Sequence, residues 1–188
     1  MSDRPPAPDL NLVRELFYRA QRSNELYPSD PADQVTVGKD AVIRVGVAAG
    51  DDPSLSKVQQ GTFAATRSEV EATTVRQKLP NNTARLTVDG VDGWAYSFLT
   101  EFQDRFELFA YFDGVDYQVM LIAPELEGRV NPHDAHLFTG GRLCLSSNPA
   151  SQSGQPTLEE AYSKSVLWAN GMSLYLQGHT FPWSINNL

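Results

Sequence analysis

Apolar residues recur at spacings of three and four from Leu10 through Val13 and Phe17 to Ala20, joined by Leu12 and Leu16. That period predicts an amphipathic helix from Asp9 to about Ser23. Asp9 supplies the side-chain oxygen that an N-cap needs, and the Pro-rich YPSDP of Tyr27–Pro31 stops the element. Past Thr83 the period changes. ARLTV, an Asp- and Gly-rich DGVDG, WAYSFL, RFELFAYF, Asp113–Gly114 and VDYQVMLIAP follow in order. An Asp-Gly step between two aromatic and β-branched runs is a strong hairpin signal. Alternation sends Phe106, Leu108, Ala110 and Phe112 to one face and Glu107, Phe109 and Tyr111 to the other. The expectation is an antiparallel meander of about four strands, closed at Pro124. Further on, Thr157-x-x-Glu160 reads as a capping box behind Pro156. The helix it starts is expected to run to about Gln177, burying Leu158, Ala161, Trp168, Met172 and Tyr175, with Gly171 weakening its middle.

Residues 34–80 fit these templates less well. VTV and AVIRVGVAA read as strands joined at Gly38–Lys39, AAGDDPS as a loop, and TRSEVEATTVRQKL as either a strand or a short helix. The stretch is expected to hold additional strands or an insertion. The element order, helix, antiparallel strands, extended segment, helix and tail, predicts an α+β fold. A length of 188 residues suits a single domain with a real core, 1–188, in which the Pro-rich residues 1–9 are loose.

Composition narrows the function classes. At 41% hydrophobic and 20% charged residues the chain is ordinarily globular rather than wholly disordered. A net charge of −8 disfavours non-specific binding to nucleic acid or anionic lipid. No apolar run approaches the roughly 20 residues of a membrane span, and MSDRPPAPD has no apolar signal-peptide core. A single cysteine excludes an internal disulfide framework, so a reducing cytoplasm is the expected setting.

That cysteine, Cys144, lies in HDAHLFTGGRLCLS, with His133 and His136 before it and a Gly140–Gly141 pair between. Three readings compete. A cysteine between two leucines is often a small buried hydrophobe. As a metal ligand it would join His133 and His136, with His179 or a carboxylate as fourth donor, although neither HExxH nor a CxxC pair is present. As a nucleophile it needs a positive neighbour, for which Arg142 and His136 are candidates, and donors for an oxyanion. The glycines allow a tight turn just before the thiol, and the polar SSNPASQSGQP loop after it argues for a surface edge.

The segment resembles the active-site stretch of ubiquitin-conjugating enzymes, a His-Pro-Asn tripeptide followed by a short turn and Gly-x-Ile/Leu-Cys-Leu/Val. Asp134, Ala135 and His136 fall where His-Pro-Asn stands, and Gly141-Arg142-Leu143-Cys144-Leu145 matches the remainder in register. The order of helix, meander, Pro-ended strand and crossing helix agrees over about residues 83–177. His136 replaces the family's asparagine, and the Trp-Ser-Pro that usually follows the cysteine is absent. In these departures the chain is most similar to divergent bacterial members that accompany an activating enzyme and a ubiquitin-like modifier, and antiviral defence is the implied setting.

The resemblance implies that Cys144 takes a ubiquitin-like modifier from the activating enzyme as a thioester and passes it to an amine or hydroxyl of an acceptor protein. His136 would hydrogen-bond the oxyanion or order the acceptor loop, and as an imidazole it can also serve as a base near neutral pH. Asp134, Gly141, Leu145 and Ser146 complete the implied active-site segment. The next carboxylate after Ser146 and Ser147 is Glu159, so acceptor activation would fall to Asp134 or a partner. Arg14, Arg19 and Arg22 on the first helix are the implied docking residues for the activating enzyme, beside the plainer reading of a solvated helix face. Trp168, Phe181 and Trp183 are expected to be packing aromatics, and His133 structural. No cofactor, metal, nucleic acid or membrane is expected. Two alternatives stay open: a non-catalytic scaffold of the same fold that binds an activating enzyme or modifier, and a cysteine hydrolase or metal-binding protein.

Overall fold

The computed structural model describes residues 6–22, 35–37, 43–45, 66–146 and 154–182. Helix α1 spans Leu10–Arg22 and buries Val13, Phe17 and Ala20, the stripe that its spacing predicts. Asp9 caps it, its Oδ1 accepting from the Asn11 amide at 2.8 Å and the Leu12 amide at 3.1 Å. Strands β1 (Val35–Val37) and β2 (Ile43–Val45) form an antiparallel pair with Thr36 opposite Arg44. The expected turn at Gly38–Lys39, the AAGDDPS loop and the stop at Tyr27–Pro31 lie outside the described residues.

The ambiguous TRSEVEATTVRQKL resolves as a helix, α2 (Arg67–Lys78). Its spacing gave no helical period because none of its residues is buried. Its start is set instead by a capping box: Thr66 Oγ1 accepts from the Glu69 amide, and Glu69 Oε2 accepts from the Thr66 amide at 2.7 Å. Val75 packs against the core, and one carboxylate gathers polar contacts from the sheet. Glu71 accepts from the Tyr117 hydroxyl at 2.7 Å and the Trp94 indole at 3.1 Å, and pairs with Arg67 at 3.1 Å. The Arg67 guanidinium in turn lies 4.4 Å from the centre of the Phe112 ring.

The meander is present as β3 (Ala84–Val88), β4 (Val91–Leu99), β5 (Arg105–Phe112) and β6 (Tyr117–Ala123), adjacent in that order and antiparallel throughout. The first turn is tighter than DGVDG suggests. Asp89 (φ 53°) and Gly90 (φ 76°) alone make it, and Val91 is already paired with Val88. The β5–β6 loop is longer than a two-residue turn. Asp113 holds it, its Oδ1 accepting from the Val115 and Asp116 amides, while Oδ2 accepts from Gln118.

Helix α3 (Leu158–Leu176) begins at Thr157, whose Oγ1 accepts from the Glu160 amide at 3.2 Å. It packs on one face of the sheet with Tyr96, Phe98, Phe106, Leu108, Ala110, Val119 and Leu121. Helix α1 packs on the other with Val88, Ala95, Phe109, Tyr111, Met120 and Ile122. The alternation predicted for β5 therefore holds, and both faces are covered. Buried hydroxyls lock the α3 face in register: Tyr96 with Ser165 at 2.9 Å, and Thr100 with Ser173 at 3.0 Å. Among the described residues no helix is long and apolar enough to cross a membrane.

Removing the Glu71 carboxylate leaves the Trp94 N–H, the Tyr117 hydroxyl and Arg67 without their common acceptor. Glu71→Ala is expected to cost about 2–3 kcal/mol of folding stability in urea unfolding. A loss within a few tenths of a kcal/mol of zero would mean that α2 is fastened by something else.

Candidate functional site

Strand β6 lies at the edge of the sheet, and the cysteine segment covers that edge. The Leu121 amide donates to the Gly141 carbonyl at 2.7 Å, and the Leu143 amide to the Val119 carbonyl at 2.8 Å. Further along, Tyr117 and Gln155 exchange both backbone hydrogen bonds, at 2.7 and 2.9 Å. The segment thus behaves as a short added strand, and strand alternation governs its side chains. Leu143 and Leu145 point into the core and are 0% and 3% exposed. Cys144 between them is only partly buried and forms no disulfide, so the buried-hydrophobe reading fails. Its Sγ lies 3.7 Å from the Ser146 carbonyl oxygen, to which it can donate. Leu145 serves as an anchor, its carbonyl accepting from the Gln155 side-chain amide at 2.7 Å.

The glycine pair makes the turn into this strand, with φ of 85° at Gly140 and 78° at Gly141. The Gly141 amide closes it by donating to the Phe138 carbonyl at 3.1 Å. A Cβ at Gly141 would press on the end of the Leu10 side chain of α1, at 2.8 Å from Cδ2, but it is the positive φ that calls for glycine.

Ahead of the turn, residues 131–137 coil tightly, with Ala135 donating to Asn131 and Leu137 to Pro132. His136 adopts φ 49°, a left-handed backbone in which histidine and asparagine are enriched among non-glycine residues. Its carbonyl accepts from the Cys144 amide at 2.9 Å, and Leu137 bridges Leu143, so the two sequence-predicted catalytic residues are brought together through the backbone. Both line one cleft with Pro132, Leu137, Phe138 and Thr139. Burial lowers the His136 pKa below its ordinary 6.5; the nearby His133 lowers it further and Asp134 opposes. Burial thus favours the neutral imidazole, a hydrogen-bond donor and acceptor rather than a cation.

Other predicted residues are placed differently. The His133 side chain is 97% exposed and 3.7 Å from Asp134, so it is not the structural residue expected. Asp134 is also exposed, on the turn beside His136. Among the described residues no group of three or more His, Cys, Asp or Glu side chains is arranged to hold a metal ion. Arg142 lies over the exposed Phe138 ring at 4.9 Å. The three arginines of α1 do not form a common basic face. Arg14 is turned inward, donating to the Ile122 carbonyl at 3.0 Å, at the residue that the β5–β6 pairing skips. Arg19 pairs with Glu15 at 2.6 Å, and Arg22 is exposed at the helix end. Ser146 is partly buried, whereas Ser147 and Trp183 lie outside the described residues.

Trp168 holds the site together in a way the spacing did not foretell. Its indole donates to the Ala135 carbonyl at 2.8 Å from within the core, tying α3 to the residue before His136. The available signal was the tryptophan itself, since a buried indole N–H needs an acceptor. Comparison with protein-family models, curated proteins and solved structures finds no match to this chain.

Trp168→Phe keeps the packing but strands the Ala135 carbonyl, with an expected cost of about 1–2 kcal/mol. Amide exchange over 135–144 should accelerate more than in β5; equal acceleration would remove the proposed tether. The lowered pKa of His136 also fixes a sign. As pH falls, the unfolded chain takes up this proton before the folded one, so the contribution is present above the unfolded value and lost below it. Wild type should therefore lose stability relative to His136→Asn as pH falls through the ordinary histidine value of 6.5. A constant difference in denaturant midpoints would contradict it.

Proposed function

We propose that this protein is a conjugating enzyme for a ubiquitin-like modifier, acting by thioester relay at Cys144. One observation carries the reading. A partly exposed thiol stands between two core leucines at a sheet edge, its amide bonded to the carbonyl of a left-handed His136. This is the arrangement expected if Asp134–His136 and Gly141–Leu145 correspond to the two halves of the ubiquitin-conjugating motif. The four-stranded meander, the N-terminal helix and the helix after the cysteine are compatible with that fold.

The chemistry is acyl transfer. The Cys144 thiolate attacks the carbonyl carbon of the modifier's C-terminal thioester on an activating enzyme. The activating enzyme's thiolate leaves, and the modifier is then held as a thioester on Cys144. An acceptor amine attacks the same carbon, Cys144 departs as thiolate, and the amine's proton passes to a base. A neutral imidazole is suited to that last step, and His136 lines the cleft that holds the thiol. It can equally donate its N–H to the oxyanion, a role open to asparagine too. The exposed Asp134 carboxylate is the group available beside it to attract a lysine ammonium. The chain requires no cofactor of its own in this scheme, and a thiol that forms no disulfide fits a reducing, cytoplasmic setting.

Incubation with its activating enzyme, modifier and ATP should give an adduct that thiol reductant removes. Cys144→Ser should yield a reductant-stable ester or no adduct. His136→Ala should charge normally and discharge about a hundredfold more slowly. A wild-type chain that never charges would transfer the assignment to a non-catalytic scaffold, and normal discharge in His136→Ala would remove the role given to the imidazole.

A further inference from the structure

We infer that Phe181 is a positioning residue for His136, setting the imidazole as the wall between two clefts of the candidate site. The consequence for modifier transfer rests on the conjugation reading; the geometry does not. Helix α3 ends at Leu176, and Gly178, with φ 91°, reverses the chain. The reversal is fixed by Gly178 donating to the Tyr175 carbonyl at 3.0 Å and His179 to the Leu174 carbonyl at 3.2 Å. Phe181 then comes back over the turn that carries His136. The two rings are 5.2 Å apart between centres and inclined at 67°, an edge-to-face contact. Tyr175 of α3 backs Phe181 at 6.4 Å.

Two clefts meet at this point. One contains Cys144, Pro132 and Phe138; the other contains Asp134, Tyr175, Thr180 and Phe181; His133 and His136 line both. His136, together with His133, thus stands between the thiol cleft and a second recess. Its orientation decides which atom faces the thiol and how much water reaches the ring. The exposed His133 and Asp134 on its own turn confine it little, because solvent-exposed side chains impose little geometry. The ring contact with Phe181 confines it. The titratable groups facing His136 are His133 and Asp134 from the turn, Tyr175 from α3 and Cys144 across the thiol cleft. Phe181 adds no charge to this set, so its effect comes through exclusion of water and ring placement.

The test follows His136 directly, by NMR of the imidazole nitrogens through a pH titration of the full chain. Phe181→Ala should remove the ring-current shift of the His136 signals and raise its titration midpoint toward the ordinary histidine value. Phe181→Tyr should keep the wild-type behaviour. Should Phe181→Ala fail to fold, Phe181→Leu keeps the apolar volume and still reads the loss of the ring current. In the conjugation assay Phe181→Ala should charge normally and discharge about tenfold more slowly. Unchanged His136 signals and midpoint in a folded variant overturn the inference, whatever the discharge rate. Absence of any adduct in the wild type ends the conjugation reading, while the imidazole titration still decides the role of Phe181.

Discussion

The open edge of β6 is the constraint on which the candidate site depends. An edge strand presents backbone groups that must find partners or water. Here Gly141–Leu143 and Gln155 supply them, and the chain between β6 and α3 is laid along that edge. Once Leu143 is hydrogen-bonded to Val119 and buried, the next side chain must face away from the core. The exposure of Cys144 is thus a consequence of strand pairing and requires no special feature of the cysteine itself. The same pairing brings the Cys144 amide to the His136 carbonyl, because the Gly140–Gly141 turn folds the preceding segment back at Leu137.

Both faces of the sheet are occupied, and the two helices contribute differently to the site. Helix α1 lies against the Gly turn from below: Leu10 fills the space beside Gly141, and Arg14 reaches the β6 backbone. Helix α3 approaches from the opposite face and sends the Trp168 indole to Ala135. The turn that carries His136 is thus anchored to α3, while the turn before Cys144 rests on α1. A shift of either helix relative to the sheet would change the separation of the two side chains. The buried hydroxyl pairs between the sheet and α3 oppose such a shift, since sliding would leave them without partners. Helix α2 stands outside this scheme, joined to the rest through Glu71 and the partly buried Val75 rather than through a buried apolar stripe.

Legibility followed the size of the local signal. The first helix, the meander, the two faces of β5 and the last helix were readable because hydrophobic period and caps act within a few residues of sequence. The stretch 67–78 was ambiguous by period yet carried a readable sign, Thr66 followed three residues later by Glu69. Loop length is not legible at either Asp-Gly step, since a two-residue turn and an Asx-stabilised loop begin with the same dipeptide. At the site, the proximity of Cys144 and His136 was readable from the glycines between them. The inward course of Arg14, the exposure of His133 and the approach of Phe181 were not, because each depends on residues distant in the chain.

The sequence by itself determined the α+β class, the order of elements from residue 84 onward, and the glycine pair that lets the chain fold back between His136 and Cys144. These rest on local periodicity, capping and backbone freedom, which are properties of short stretches. Only the tertiary structure decided that the thiol is partly exposed, that burial lowers the basicity of the His136 imidazole, and that Trp168, Gln155 and Leu10 hold the segment at Ala135, Leu145 and Gly141 while Phe181 meets His136. The reason is that burial and long-range hydrogen bonding belong to a site assembled from α1, the edge of β6, α3 and the segment that follows α3. No window of the chain contains all four.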